Sequence, residues 1–129
     1  MNRSDVQDWL DRYIAAWRAN EPGPIRELFT DDVVYRWRPY ESHPAAHGID
    51  AVVDAWLGET RDEPDAWEAA YEPWVVDGER AVATGYSRYK ATADEPEKTY
   101  QNAFLLTFAD DGRCSELTEF YMLEHEPEA

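Results

Sequence analysis

At 129 residues and 15.0 kDa, with 43% hydrophobic and 14% aromatic residues, the chain has the size and apolar content of one domain (1–129), not two. Its 12 basic and 28 acidic residues give a formal charge of -16, which argues against nucleic acid as a partner and fits a well-solvated surface. No apolar run reaches membrane-spanning length, the start MNRSDVQDWLDRY has no signal-peptide apolar region, and the single Cys114 permits no internal disulfide, so a cytoplasmic location with no membrane partner is expected.

In chain order, Val6, Trp9, Leu10, Tyr13, Ile14 and Trp17 repeat at helical spacing and predict an amphipathic first helix, with Ser4 and Gln7 placed as a capping box. The stretch NEPGP (20–24) ends it, and Ile25, Leu28 and Phe29 predict a short second helix. The pattern then changes to period two, with Val33, Tyr35 and Trp37 on one face and Val34, Arg36 and Arg38 on the other. YESHPAAHG (40–48) reads as a loop, after which Ile49, Val52, Val53, Trp56 and Leu57 return to helical spacing.

Everything beyond is strand-like. One hairpin is expected around Asp77-Gly78 and a second around Asp111-Gly112, and Pro73 marks an edge position or a bulge. Three helices in the N-terminal half and antiparallel strands after them predict an α+β layer fold, with Trp9, Leu10, Ile14, Val53 and Trp56 facing the sheet. The small residues Ala83, Gly85 and Ser87 share one strand face; they leave room for a ligand or for another backbone. His43 and His47 bracket Pro44 in a loop rather than forming a helical pair, and with His125 and Cys114 they do not meet the ligand count of a zinc site, so no metal is expected. Ser87 and Ser115 lack a neighbouring His motif, and no Gly-rich phosphate loop is present, so no cofactor is expected either.

The stretches RYIAAWRANEPGPIRELFTDDVVY, HGIDAVVDAW and YQNAFLLTFADDGRCSELTEFY resemble the SnoaL-like branch of the nuclear-transport-factor-2-like (NTF2-like) superfamily, over roughly residues 5 to 123. That resemblance implies a cystatin-like cone: three helices packed on a strongly curved antiparallel sheet, with a pocket at one end and a homodimer through the outer sheet face. It also implies which sides of the strands face the pocket. These are Tyr100, Asn102, Phe104, Leu106 and Phe108 on one long strand, and Ser115, Leu117, Glu119, Tyr121 and Leu123 on the last. Outward would lie Leu105, Phe120 and Met122, too apolar for a face that is only solvated.

Fold alone leaves the reaction open, since the superfamily holds isomerases, cyclases, hydrolases, dehydratases and binding domains. In its ketosteroid isomerases the Tyr of an RY pair in the first helix donates to the developing oxyanion, which makes Tyr13 of Arg12-Tyr13 a candidate donor and Trp17 a candidate wall. The isomerase carboxyls are missing: the base position reads Trp37-Arg38-Pro39, and the second Asp corresponds to Phe104. The limonene-epoxide-hydrolase pattern W-R-D-Y-F-D is absent as well, replaced by LTEFYM with Met122 at the final Asp. Both activities are therefore disfavoured.

Glu119 remains, the carboxylate expected on the inner face of the last strand, in a setting similar to the T-E-Y of phenazine-biosynthesis members. Burial there would raise its pKa toward that of a general acid or base; otherwise it is a structural Glu bonded to Asn102, a Tyr or water, or it is solvated. The expectation is a site for a small hydrophobic or polycyclic molecule. Glu119, Tyr13 and Asn102 would be catalytic, and Trp17, Tyr35, Trp37, Trp56, Tyr100, Phe104, Leu117 and Tyr121 would contact substrate, in cofactor-free acid–base chemistry. The alternative is a non-catalytic ligand-binding or dimerising module of the same fold.

Overall fold

Three helices and six strands make up the computed structural model, which describes residues 1–40, 46–58, 63 and 65–124. Helix α1 (Arg3–Ala19) follows the apolar stripe, burying Val6, Trp9, Leu10, Tyr13 and Ala16. Its capping box lies two residues earlier than expected. Asn2 is the N-cap, accepting from the Asp5 backbone at 2.9 Å while the Asp5 carboxylate takes the Asn2 N–H at 3.0 Å, worth about 1 kcal/mol. Asn20 closes the helix in the left-handed region (φ 53), and Pro22 starts α2 (Pro22–Leu28), where its missing N–H costs nothing. Phe29, expected to be helical, is instead the first residue of β1 (Phe29–Arg36).

The pair Ala46–His47 forms a short β2 against Val34 and Tyr35, inside a stretch expected to be loop. His43 and Pro44 lie outside the described residues. Gly48, at φ 91, then leads into α3 (Ile49–Trp56). Strands β3 (Trp67–Asp77) and β4 (Arg80–Tyr89) form the first hairpin, with Gly78 at φ 60 in a two-residue turn. Strands β5 (Lys98–Phe108) and β6 (Cys114–Leu123) form the second. The sheet order is β2-β1-β6-β5-β4-β3, so β3 is an edge strand, and its ladder shifts register between Pro73 and Val75. Proline here sits at both an edge and a bulge.

The α+β layer architecture is the expected one, with one difference in detail: β1 runs parallel to β6, which makes the sheet mixed rather than wholly antiparallel. The β1–β6 ladder ends at Arg36 and Thr118, so Glu119–Leu123 are paired on the β5 side and, among the described residues, carry no strand on the other. A register break at Thr107 and Phe108 corrects a second point. Phe108 pairs with Cys114, so Cys114 takes the buried position, while Ser115 is the extra residue and donates to the Thr107 carbonyl at 3.3 Å.

The core lies between α1, α3 and the inner sheet face. The Trp9 indole N–H donates to the Leu28 carbonyl at 3.0 Å, and its ring meets the edges of Phe29 and Phe108. The small residues of β4 serve close approach at one point: a Cβ on Gly85 would overlap the Ala70 carbonyl oxygen and stand 2.8 Å from Tyr71 Cα. Glycine is required there by the neighbouring backbone of β3. Among the described residues no helix is long and apolar enough to cross a membrane.

Candidate functional site

A cavity of about 990 Å³ opens between α1, α3 and the inner faces of β1 and β3 to β6. Buried Tyr13, Tyr35, Tyr71 and Ser87 form its floor, whereas exposed Arg38, Lys90, Thr92, Glu95 and Pro96 mark its mouth. Half-buried Trp17, Trp37, Trp56 and Tyr100 line it between floor and mouth, and Tyr121 lies across an edge contact from Tyr100.

Each floor residue is set by its element. Helical spacing turns Tyr13 inward from α1, and strand alternation aims Tyr35 inward from β1 and Glu119 from β6. The parallel β1–β6 pairing, with Tyr35 beside Leu117, brings the two strands' polar groups together. The Tyr13 and Tyr35 hydroxyls lie 2.8 Å apart, and Tyr35 donates to Glu119 Oε1 at 3.3 Å. Tyr13 also hydrogen-bonds to the Glu119 carboxyl. The phenol on the apolar stripe of α1 thus has its partners in the floor of the cavity.

The electrostatics follow from burial. Desolvation raises the Glu119 carboxyl from its ordinary 4.5 to about 7, with the hydrogen bonds from Tyr35 and Tyr13 working against that rise. Burial, followed by the negative charge of Glu119, pushes the Tyr13 and Tyr35 phenols upward, so both stay protonated donors. Tyr71 is raised for the same two reasons and hydrogen-bonds to Ser87. Near neutrality Glu119 can therefore hold or release a proton while its neighbours cannot.

Asn102 is placed differently from expectation. Its Oδ1 accepts from Ser87 Oγ at 3.0 Å rather than serving Glu119, so it belongs to a second polar group, Tyr71–Ser87–Asn102. It still lines the cavity, where Oδ1 keeps a second lone pair beside the amide NH₂. Phe104 and Leu117, expected to contact substrate, are fully buried core residues and do not border the cavity. Phe104 pairs with Glu119 across the ladder and supports Tyr13 from behind, with ring centroids 5.7 Å apart.

Trp17 stacks on Trp67 at 3.7 Å, and Trp37 tilts against Tyr35 at 4.5 Å. Tyr71, Tyr89 and the residues of the mouth were not anticipated. Tyr89 continues the alternation of Ala83, Gly85 and Ser87, a pattern that could have identified it. His47 is exposed on β2 and away from the cavity, and His125 lies outside the described residues. A second, smaller cavity of about 550 Å³ lies beside the unpaired edge of β6, bordered by Arg38, Tyr40, Phe120 and Met122, and it shares Glu119 with the first.

Three helices over a six-stranded mixed sheet match the fold of several solved structures. An NTF2-like protein of unknown function from Mesorhizobium loti is similar at 18% identity and TM-score 0.63, with 93% of each chain covered. An LEH-like epoxide hydrolase of M. tuberculosis is similar at 10% identity and TM-score 0.65, over 93% of this chain and 84% of that one. The epoxide hydrolase/cyclase-like enzyme SalBIII, described for pyran ring formation in the polyether salinomycin, is similar at 13% identity and TM-score 0.64, over 89% and 88%. No functionally curated protein matches the chain significantly in sequence. The model of the SnoaL-like domain matches residues 10–117, and the chain belongs to that family.

Proposed function

We propose that this SnoaL-like domain takes a small hydrophobic or polycyclic molecule into the larger cavity and acts on it by cofactor-free acid–base chemistry. The observation that carries the reading is a carboxyl held at about 7, Glu119, hydrogen-bonded by two buried phenols at the floor of an aromatic cavity. As a carboxylate, Glu119 accepts a proton from an acidic C–H or O–H of the substrate; once protonated, it returns that proton to a second atom or to a leaving oxygen. Tyr13 and Tyr35 stabilise negative charge that develops near them, and Asn102 orients the substrate. Isomerisation, cyclisation, dehydration and hydrolysis all fit this pattern. The solved hydrolase and cyclase-like structures of the same fold add support at the level of class.

The test is a thermal-shift screen of polycyclic apolar compounds, followed by mass spectrometry of the stabilising ones after incubation. Conversion by the wild type, its loss in Glu119→Gln with binding kept, and a smaller loss in Tyr13→Phe are expected. Compounds that bind and return unchanged would leave the second reading, a non-catalytic binding module. We further propose a symmetric homodimer through the outer sheet face, where Leu105, Phe120 and Met122 are 45%, 41% and 74% exposed and lie on neighbouring strands. Met122→Glu should yield monomers by light scattering; a wild-type monomer at micromolar concentration would end that idea.

A further inference from the structure

The chain contains two lysines in all, Lys90 and Lys98, and both border the larger cavity. They flank the connection between β4 and β5, with Lys98 half-buried on the inner face and Lys90 just past the end of β4. Arg38 borders the same cavity from the end of β1. Against these three cations the cavity presents two carboxyls, Glu95 at the mouth and Glu119 on the floor. Among the described lining residues cations thus outnumber carboxyls, although the chain as a whole has 28 acidic and 12 basic residues.

Lys98 donates to Glu95 at 2.8 Å, but an ammonium has three donors and is not exhausted by one carboxylate. Thr92 and Pro96 complete the mouth, and the wall next to it is aromatic, from Trp37, Tyr89, Tyr100 and Tyr121. We infer that the molecule taken by this cavity is an apolar polycycle bearing one carboxylate, held at the mouth between Lys90, Lys98 and Arg38, with its ring system directed down to Tyr13, Tyr35 and Glu119. This rests on the reading of the cavity as a small-molecule site and deepens it. A monoanion fits better than a dianion such as a phosphate monoester, because Glu95 already neutralises part of the positive charge and Glu119 lies beneath. Placing the anion at the mouth keeps it away from the Glu119 carboxyl. The net charge of -16 disfavours an anion over the surface as a whole, so local cations have to hold it at the mouth.

Pyrenebutyrate and pyrenebutanol, which share a ring system and differ in charge, test this directly by fluorescence titration. The carboxylate should bind about tenfold more tightly at low salt, and the difference should shrink toward unity in about 1 M salt. Lys90→Gln/Lys98→Gln should abolish the preference without weakening pyrenebutanol, and Lys90→Arg/Lys98→Arg should retain it. Equal binding of the two probes to the wild type overturns the inference and leaves the apolar-cavity reading intact. If neither probe binds, both the inference and that reading fall. The wild-type comparison stands even if a lysine variant folds poorly.

Discussion

Replacing Glu119 with Gln keeps the shape of the side chain while fixing it in a neutral state, and stability measured against pH then isolates the carboxyl. The folded protein binds the Glu119 proton more tightly than the unfolded chain does, since the pKa rises from 4.5 to about 7 on folding. A carboxyl raised in this way imposes no penalty below the unfolded pKa. It destabilises progressively as pH climbs through the window, and the loss is complete above the folded pKa. A shift of this size corresponds to about 3 kcal/mol in total, of which about 2 kcal/mol falls between about pH 5 and about pH 7. Urea unfolding of wild type and Glu119→Gln across this range should show the gap widening in favour of the variant, then levelling above about pH 8. The other carboxylates titrate equally in both proteins and cancel. A gap that stays constant with pH would refute the desolvation argument and, with it, the proton-carrier role.

Tyr35→Phe removes a donor that holds the Glu119 pKa down, so a carboxyl titration followed by NMR should move upward, and an unchanged midpoint would count against the contact. Gly85→Ala should destabilise by about 2 kcal/mol or more, because β3 must retreat from the new Cβ; a neutral thermal shift would contradict the close approach. Burial pushes the fully buried Cys114 thiol up to about 12, so thiol reagents should label it only after unfolding, and rapid stoichiometric labelling of the native protein would show otherwise.

Periodicity made the helices and the faces of the long strands readable, because burial repeats at fixed spacing along each element. Tyr13, Asn102 and Glu119 were therefore legible as inward-facing residues. Their partners were not. The Tyr35–Glu119 contact spans 84 positions and depends on the parallel pairing of β1 with β6, for which no local pattern exists. Alternation also cannot separate a side chain that borders empty space from one that fills the core, and so Phe104 and Leu117 were read as contacts. The inward parity of Leu117 and Glu119 does not carry back past the bulge at Ser115, on whose far side Cys114 takes the buried position. Lys90 and Lys98 sit beside a connection that carries no regular pattern, and the excess of Arg over Lys in the composition identifies no site by itself.

Among the described residues no second strand pairs with β6 beyond Thr118, where β1 stops, and the smaller cavity borders Glu119 beside that edge. Glu119 consequently has two approaches, one through the large cavity and one beside β6. Under the proposed acid–base reading, the smaller cavity gives solvent a path to the same carboxyl that a molecule in the larger cavity would cover.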